Sequence, residues 1–200
     1  MKLILHIVIL GFLDKMGNTL WNSLGLKAGS YSNEIESGWH KVKCEKDLDQ
    51  RISLNGKFEI SSQIYFNNEN SWDMGSIEIN CYELLNGSYN KTACISLYDG
   101  HEAYLKTYIR TELGGKTISN VETNNYINLS GRYAVVSNGT SLSCYRGEKL
   151  IAQLANTANI NIDKIEIAFC KYDNSHNTPG MYLESLYIGE PFYYKSIVGN

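Results

Sequence analysis

Carboxylates are the first residues to test for chemistry. Side chains two apart on a strand project from one side, and two carboxyl groups at suitable separation supply the acid and the nucleophile of glycosidic hydrolysis. Glu34-Ile35-Glu36 and Asp47-Leu48-Asp49 each stop at two members, and Glu78 stands alone on its segment. The chain has 4 histidines but no GxSxG turn for a nucleophilic serine. It has no P-loop and no GxGxxG, and His101-Glu102 continues into Ala103-Tyr104-Leu105 rather than completing HExxH. His6 lies in an apolar run and reads as a packed residue. The expectation is a protein without a catalytic centre.

Recognition needs other residue types: aromatic faces beside planar hydrogen-bonding groups. Three segments combine them. NNENSWDMG holds Trp72 and Asp73; LYDGHEAY holds Tyr98, Asp99, His101 and Tyr104; YDNSHN holds Tyr172, Asn174 and His176. These nine are the candidate ligand-binding residues. The stretches 67–73 and 172–178 come first, because loops of that length between strands often carry function. Asp73, Asp99, Glu102 and Asp173 lie in turns, but no dense acidic string converges as calcium requires. No cofactor is expected, with a calcium ion as the lesser alternative. The 5 cysteines (Cys44, Cys81, Cys94, Cys144, Cys170) show no metal-ligand spacing. An odd number in alternating apolar runs reads as free, buried thiols.

These residues must be positioned by strands. Of 200 residues, 15 are tyrosine and only 2 proline, with abundant Ile and Asn, a composition favouring pleated surfaces and turns. FEISSQIYF (58–66) sets Phe58, Ile60, Ser62, Ile64 and Phe66 against Glu59, Ser61, Gln63 and Tyr65, the period of two that marks a half-buried strand. SIEINCYEL, ACISLYDG, AYLKTYIRT and IDKIEIAFC follow the same rule. Asn86-Gly87, Asn138-Gly139 and Arg146-Gly147-Glu148 supply turns. In the last of these hairpins, Leu142, Cys144, Leu150 and Leu154 are expected to enter the core. Ten or more closely spaced strands with short turns predict an all-β chain folded as an antiparallel two-sheet β-sandwich.

Two parts are expected. Residues 1–38 comprise an apolar run, LILHIVILGFL (3–13), and a Gly/Ser/Asn-rich stretch with a short helix expected around Asn18–Leu24. The apolar run reads as a buried strand or interface segment packed on the sandwich, with a retained signal or anchor as the alternative. Residues 39–200 form the sandwich domain.

Three segments sharpen this architecture. Val135-Val136-Ser137-Asn138-Gly139 leads into Leu142-Ser143-Cys144-Tyr145-Arg146-Gly147-Glu148-Lys149-Leu150, and the chain closes on Leu183 to Phe192. This order resembles the concanavalin A-like lectin/glucanase superfamily, above all its laminin-G-like and pentraxin-like jelly rolls, over about residues 57–192. The chain departs from the pattern at Arg132-Tyr133, where Trp-His is frequent, and at Arg146, where Asp or Asn precedes the turn glycine. The resemblance implies a concanavalin A-like jelly roll that binds sugars or surfaces.

The combined expectation is a non-catalytic, lectin-like binding or structural domain. Its expected partners are glycans or other virion or surface proteins, with self-association into a homo-oligomer. Net charge is −3, without the basic field that nucleic-acid binding requires, and no membrane span is expected. The Asn/Ile/Tyr/Lys richness, free thiols and retained apolar amino terminus point to a phage virion component, such as a tail, fibre or head-decoration protein, made in the host cytoplasm. The alternatives are a secreted or cell-surface bacterial carbohydrate-binding module and a polysaccharide-degrading enzyme.

Overall fold

The structure, a computed structural model, describes the backbone of residues 5–13, 19–21, 27–28, 39–67, 75–99, 103–111, 114–122, 130–155, 159–172 and 180–198. Side chains are described for 41, 43, 45–65, 75–97, 130–155, 159–170 and 183–198.

Alternation of apolar and polar residues produces two seven-stranded sheets. Across the first run β12 (Lys149–Leu154), β11 (Leu142–Arg146), β10 (Gly131–Asn138), β5 (Lys57–Asn67), β14 (Gly180–Gly189), β1 (Leu5–Leu13) and β2 (Thr19–Trp21). Across the second run β3 (Lys27–Ala28), β4 (Trp39–Leu54), β13 (Ile160–Tyr172), β6 (Gly75–Leu85), β7 (Ser88–Asp99), β8 (Ala103–Thr111) and β9 (Gly114–Glu122). Neighbouring strands in both sheets pair antiparallel. The only helix among the described residues is the single turn α1 (Lys195–Val198).

Phe58, Ile60 and Ile64 of the first sheet meet Ile77, Ile79, Ile95, Leu97, Ile165, Ile167 and Phe169 of the second in one apolar core. Among the strands whose side chains are described, apolar faces thus meet between the sheets, as the sandwich expected from the sequence requires. At Asn86-Gly87 both turn residues adopt positive φ, 51° and 80°, the conformation that matches the twist of a two-residue hairpin. The apolar amino-terminal run forms β1, which pairs with β14 from Leu5↔Ile188 to Phe12↔Tyr182. Where a short helix was expected around Asn18–Leu24, the chain forms the strand Thr19–Trp21, paired with β1.

Two packing expectations are corrected. Leu150 does not enter the core; it is 48% exposed. The register between β11 and β12 shifts between Cys144 and Tyr145, so that Cys144 pairs with Ala152 but Tyr145 with Leu150. One extra residue in a strand moves the next side chain to the other face, and Ile151 packs against the core instead. The second correction concerns β5, whose polar face is covered at Glu59 and Ser61 and exposed only further along, at Tyr65. Glu59 and Ser61 are both fully buried, because residues 192–194 lie across them. The Glu59 carboxylate oxygen Oε2 accepts backbone N–H groups from Phe192 (2.8 Å), Tyr193 (2.9 Å) and Tyr194 (3.2 Å), and Oε1 accepts the Ser61 hydroxyl. Tyr194 then packs with Ala134, Val136, Tyr145 and Val198 in a second, smaller cluster outside the first sheet.

Candidate functional site

The core-averted face of the second sheet carries a cluster of polar side chains, several of them buried. Inward positions such as Ile77, Ile79, Ile165 and Ile167 leave Ser76, Glu78, Asn80 and Tyr82 of β6 on the opposite side, with Lys164, Glu166, Ala168 and Cys170 of β13 beside them. Register sets Glu166 between Glu45 and Asn80, and Ala168 between Lys43 and Glu78. Because Ala168 is short, side chains from β4 and β6 meet above β13.

Lys41 makes that bridge. Its Nζ lies 3.3 Å from Glu78 Oε2 and 3.7 Å from Glu166 Oε1. Lys43 Nζ reaches Glu166 Oε2 at 3.4 Å. Asn80 donates its amide to Glu166 Oε1 (3.1 Å) and to Glu78 Oε2 (3.4 Å), and the Tyr82 hydroxyl donates to Glu166 Oε1 (3.4 Å). The two carboxylates therefore fix which end of Asn80 is the NH₂. Its carbonyl oxygen Oδ1 is buried and accepts no hydrogen bond, although Asn80 is only 1% exposed. A buried acceptor without a donor costs about 1–3 kcal/mol, so this oxygen is an unmet hydrogen-bonding group within the cluster.

Electrostatics follow the contacts. Burial works against the Lys41 ammonium, but Glu78 and then Glu166 outweigh it, and its pKa lies above the ordinary lysine value. The Tyr82 phenol is also pushed up, by burial and then by the Glu166 charge, so it stays a hydrogen-bond donor at neutral pH. Further along the face, Lys164 pairs with Glu45 at 2.8 Å. Its ammonium stands 5.8 Å from the Tyr82 ring centre and 4.9 Å from that of Tyr89.

Four of the nine residues expected to bind ligand fall on described backbone, all at one end of this sheet. Tyr98 pairs across the ladder with Tyr104 and, on its other side, with Ser76. Asp99 pairs with Gly75, Gly75 with Lys171, and Tyr172 with Trp39. Their own side chains lie outside the described residues, as do Trp72, Asp73, His101, Asn174 and His176 altogether. The row containing Ser76 and Tyr98 is followed by that of Glu78 and Ser96, then that of Asn80 and Cys94.

Lys41, Glu78, Asn80 and Glu166 were not singled out from the sequence as a site. The signal was present as alternate polar residues in IEINCY and IEIAFC, but Asn80 and Glu166 are 86 residues apart, so Glu78 looked isolated. Asp47 and Asp49 are exposed, and Asp47 accepts the Tyr89 hydroxyl at 2.7 Å; Glu34 and Glu36 lie outside the described residues. Cys81, Cys94, Cys144 and Cys170 are buried and not joined in disulfides, the Cys44 side chain lies outside the described residues, and burial pushes the Cys81 thiol up to about 12. Among the described residues, no group of three His, Cys, Asp or Glu has the arrangement to hold a metal ion, and no helix is long and apolar enough to cross a membrane.

No protein-family model matches this chain, and no curated protein matches its sequence. Its backbone is similar to solved structures. The Emp47p carbohydrate recognition domain superposes with a TM-score of 0.53 at 11% identity, over 85% of this chain and 90% of that one. A structure of botulinum neurotoxin type C, whose cell uptake depends on two ganglioside molecules, gives a TM-score of 0.50 at 16% identity over 94% of this chain. A receptor binding domain gives 0.50 at 16% identity over 92%. The chain spans about half the length of the neurotoxin and receptor-binding chains, 49% and 48%. At such identities the likeness shows a shared β-sandwich fold.

Proposed function

We propose that this chain is a non-catalytic glycan-binding domain, with its site on the core-averted face of the second sheet. One observation carries the reading: Lys41, Glu78, Asn80, Tyr82 and Glu166 form an ordered array of donors and acceptors, and Asn80 Oδ1 within it has no donor. Sugar hydroxyls both donate and accept, so an array of carboxylates, an amide and an ammonium complements a polyol. By register the array continues toward Tyr98 and Tyr104, where aromatic platforms were expected. Its sandwich resembles that of a carbohydrate recognition domain.

Binding is favoured over hydrolysis by the charges. Protonating a glycosidic oxygen needs a carboxyl group placed to hold a proton, usually in apolar surroundings. Here Lys41 and Lys43 sit within ion-pair distance of Glu166, and Lys41 also of Glu78. No cofactor enters this reading. For location we favour a virion component assembled in a reducing cytoplasm: Cys81, Cys94, Cys144 and Cys170 form no disulfide, which suits that compartment better than secretion.

The test is a glycan array followed by calorimetry on the full chain. Asn80→Ala and Glu78→Gln are expected to weaken binding of the best glycan by about tenfold each, the scale of one lost charge-assisted or buried hydrogen bond. Binding unaffected by both variants removes the site, and no binding to any glycan removes the function.

A further inference from the structure

A second concave site lies on the opposite outer face, against the first sheet. Arg132 and Glu148 meet Tyr193, Tyr194, Ser196 and Ile197 around a cleft of about 560 Å³, within the size range of small-ligand sites. Its walls depend on features already described. Glu59 pins the backbone of residues 192–194, and the Tyr194 hydroxyl donates to the Gly147 carbonyl oxygen at 2.8 Å. The Gly147 N–H in turn donates to the Arg132 carbonyl oxygen at 2.7 Å. The cleft is thus framed by hydrogen bonds linking the turn at Gly147, β10 and the closing segment.

Within this frame Arg132 is out of balance. Its guanidinium carbon lies 3.5 Å from the centre of the Tyr193 ring, a stacking distance that fixes the plane of the group. Nη1 is buried and has no hydrogen-bond partner, and no carboxylate among the described residues pairs with the side chain. Arg132 is half-buried, but a buried N–H without an acceptor is costly, and the rigid fork of donors matches a carboxylate. Glu148 shares the cleft and disfavours a second negative charge, but accepts hydroxyl groups well; Ser196 adds another hydroxyl-compatible contact. We propose that this cleft is a second site, for an acidic monosaccharide. Its carboxylate pairs with Arg132 and its hydroxyls face Glu148 and Ser196. The site is independent of the glycan site on the second sheet.

The experiment titrates the full chain with glucuronate, glucose and a short N-acetylated peptide ending in a free carboxylate, observed by NMR and calorimetry. Glucuronate is expected to bind and to shift the signals of Ser196 and Gly147, while glucose and the peptide bind at least about tenfold more weakly. Arg132→Gln is expected to abolish the preference for the acid, and Arg132→Lys to restore only part of it, because an ammonium lacks the planar fork. Among the described residues the Arg132 side chain has no hydrogen-bond partner, so Arg132→Gln should fold, which its melting curve checks. Glu148→Gln provides a second variant and is expected to admit the dicarboxylate glucarate. Equal binding of glucuronate and glucose, equal binding of the peptide, or an Arg132→Gln variant that keeps the preference overturns the proposal. Asn80→Ala is expected to leave glucuronate binding here unchanged, so failure at one site is separable from failure at the other.

Discussion

Replacing Glu59 with alanine tests how the closing segment is held. Its Oε2 accepts three backbone N–H groups, at 2.8, 2.9 and 3.2 Å, from a position with no exposure at all. A hydrogen bond to a charged group contributes about 1.5–3 kcal/mol, so simple addition gives roughly 5–9 kcal/mol. The real loss is capped, because residues 190–198 can detach and hydrate their N–H groups instead of keeping them buried and unpaired. Detachment gives up the burial of Tyr194, about 2 kcal/mol, and its ring contact with Tyr145 at 5.0 Å, about 1 kcal/mol. It recovers part of this as chain entropy. Glu59→Ala is therefore expected to cost at most about 3 kcal/mol of global stability, below the additive figure. Glu59→Gln keeps an oxygen for the three backbone donors but loses the charge and replaces the acceptor of the Ser61 hydroxyl with an NH₂ that the Ser61 oxygen can accept, so about 1 kcal/mol is expected. Urea denaturation measures both, and hydrogen exchange at residues 192–194 distinguishes local detachment from general weakening. If Glu59→Ala lies within about 0.5 kcal/mol of the parent and those amides stay as protected, the carboxylate does not hold the segment.

Three further outcomes follow from the same structure. Tyr194, pushed up to about 12 by burial and then by the Glu59 charge, holds its proton more tightly folded than unfolded. Its share of stability is complete below pH 10 and is lost between pH 10 and about 12, as an absorbance titration of the parent minus Tyr194→Phe will show. Asp163 receives Arg51 at 2.9 and 2.7 Å, and that pairing holds its carboxyl below the ordinary 3.8. Its contribution persists above that value and disappears as pH falls through the depressed one; carboxyl NMR should show the pKa returning toward 3.8 in Arg51→Gln. Leu150→Ser should change stability by less than about 0.5 kcal/mol, whereas Leu142→Ala should cost about 2–5 kcal/mol, both read from denaturant midpoints.

Much of the fold was legible because strand side chains alternate. FEISSQIYF, SIEINCYEL and IDKIEIAFC each display an apolar face at period two, and the Asn-Gly pairs mark turns where positive φ is needed. What alternation leaves open is the count of residues at a bulge. Leu150 and Ile151 are both apolar, and only the shifted register opposite Cys144 and Tyr145 decides which enters the core. Nor does a strand's own sequence say what lies on its second face. Glu59 and Ser61 read as solvent-facing, and they became buried when a segment more than 130 residues away crossed them.

The candidate site divides in the same way. Local composition singled out Tyr98, Asp99, Tyr104 and Tyr172 as recognition residues, and the ladder places their backbone at one end of one sheet. The array of Lys41, Glu78, Asn80 and Glu166 was beyond local reading, since it draws one strand each from three distant parts of the chain. By itself the sequence determined the period, the turns and hence the two-sheet sandwich, all set by interactions between near neighbours. Only the tertiary structure decided which charges meet, because cross-strand partners depend on the order and register of the sheet. Ala168 shows the point: an unremarked small residue in sequence, it is the gap over which Lys41 reaches Glu78.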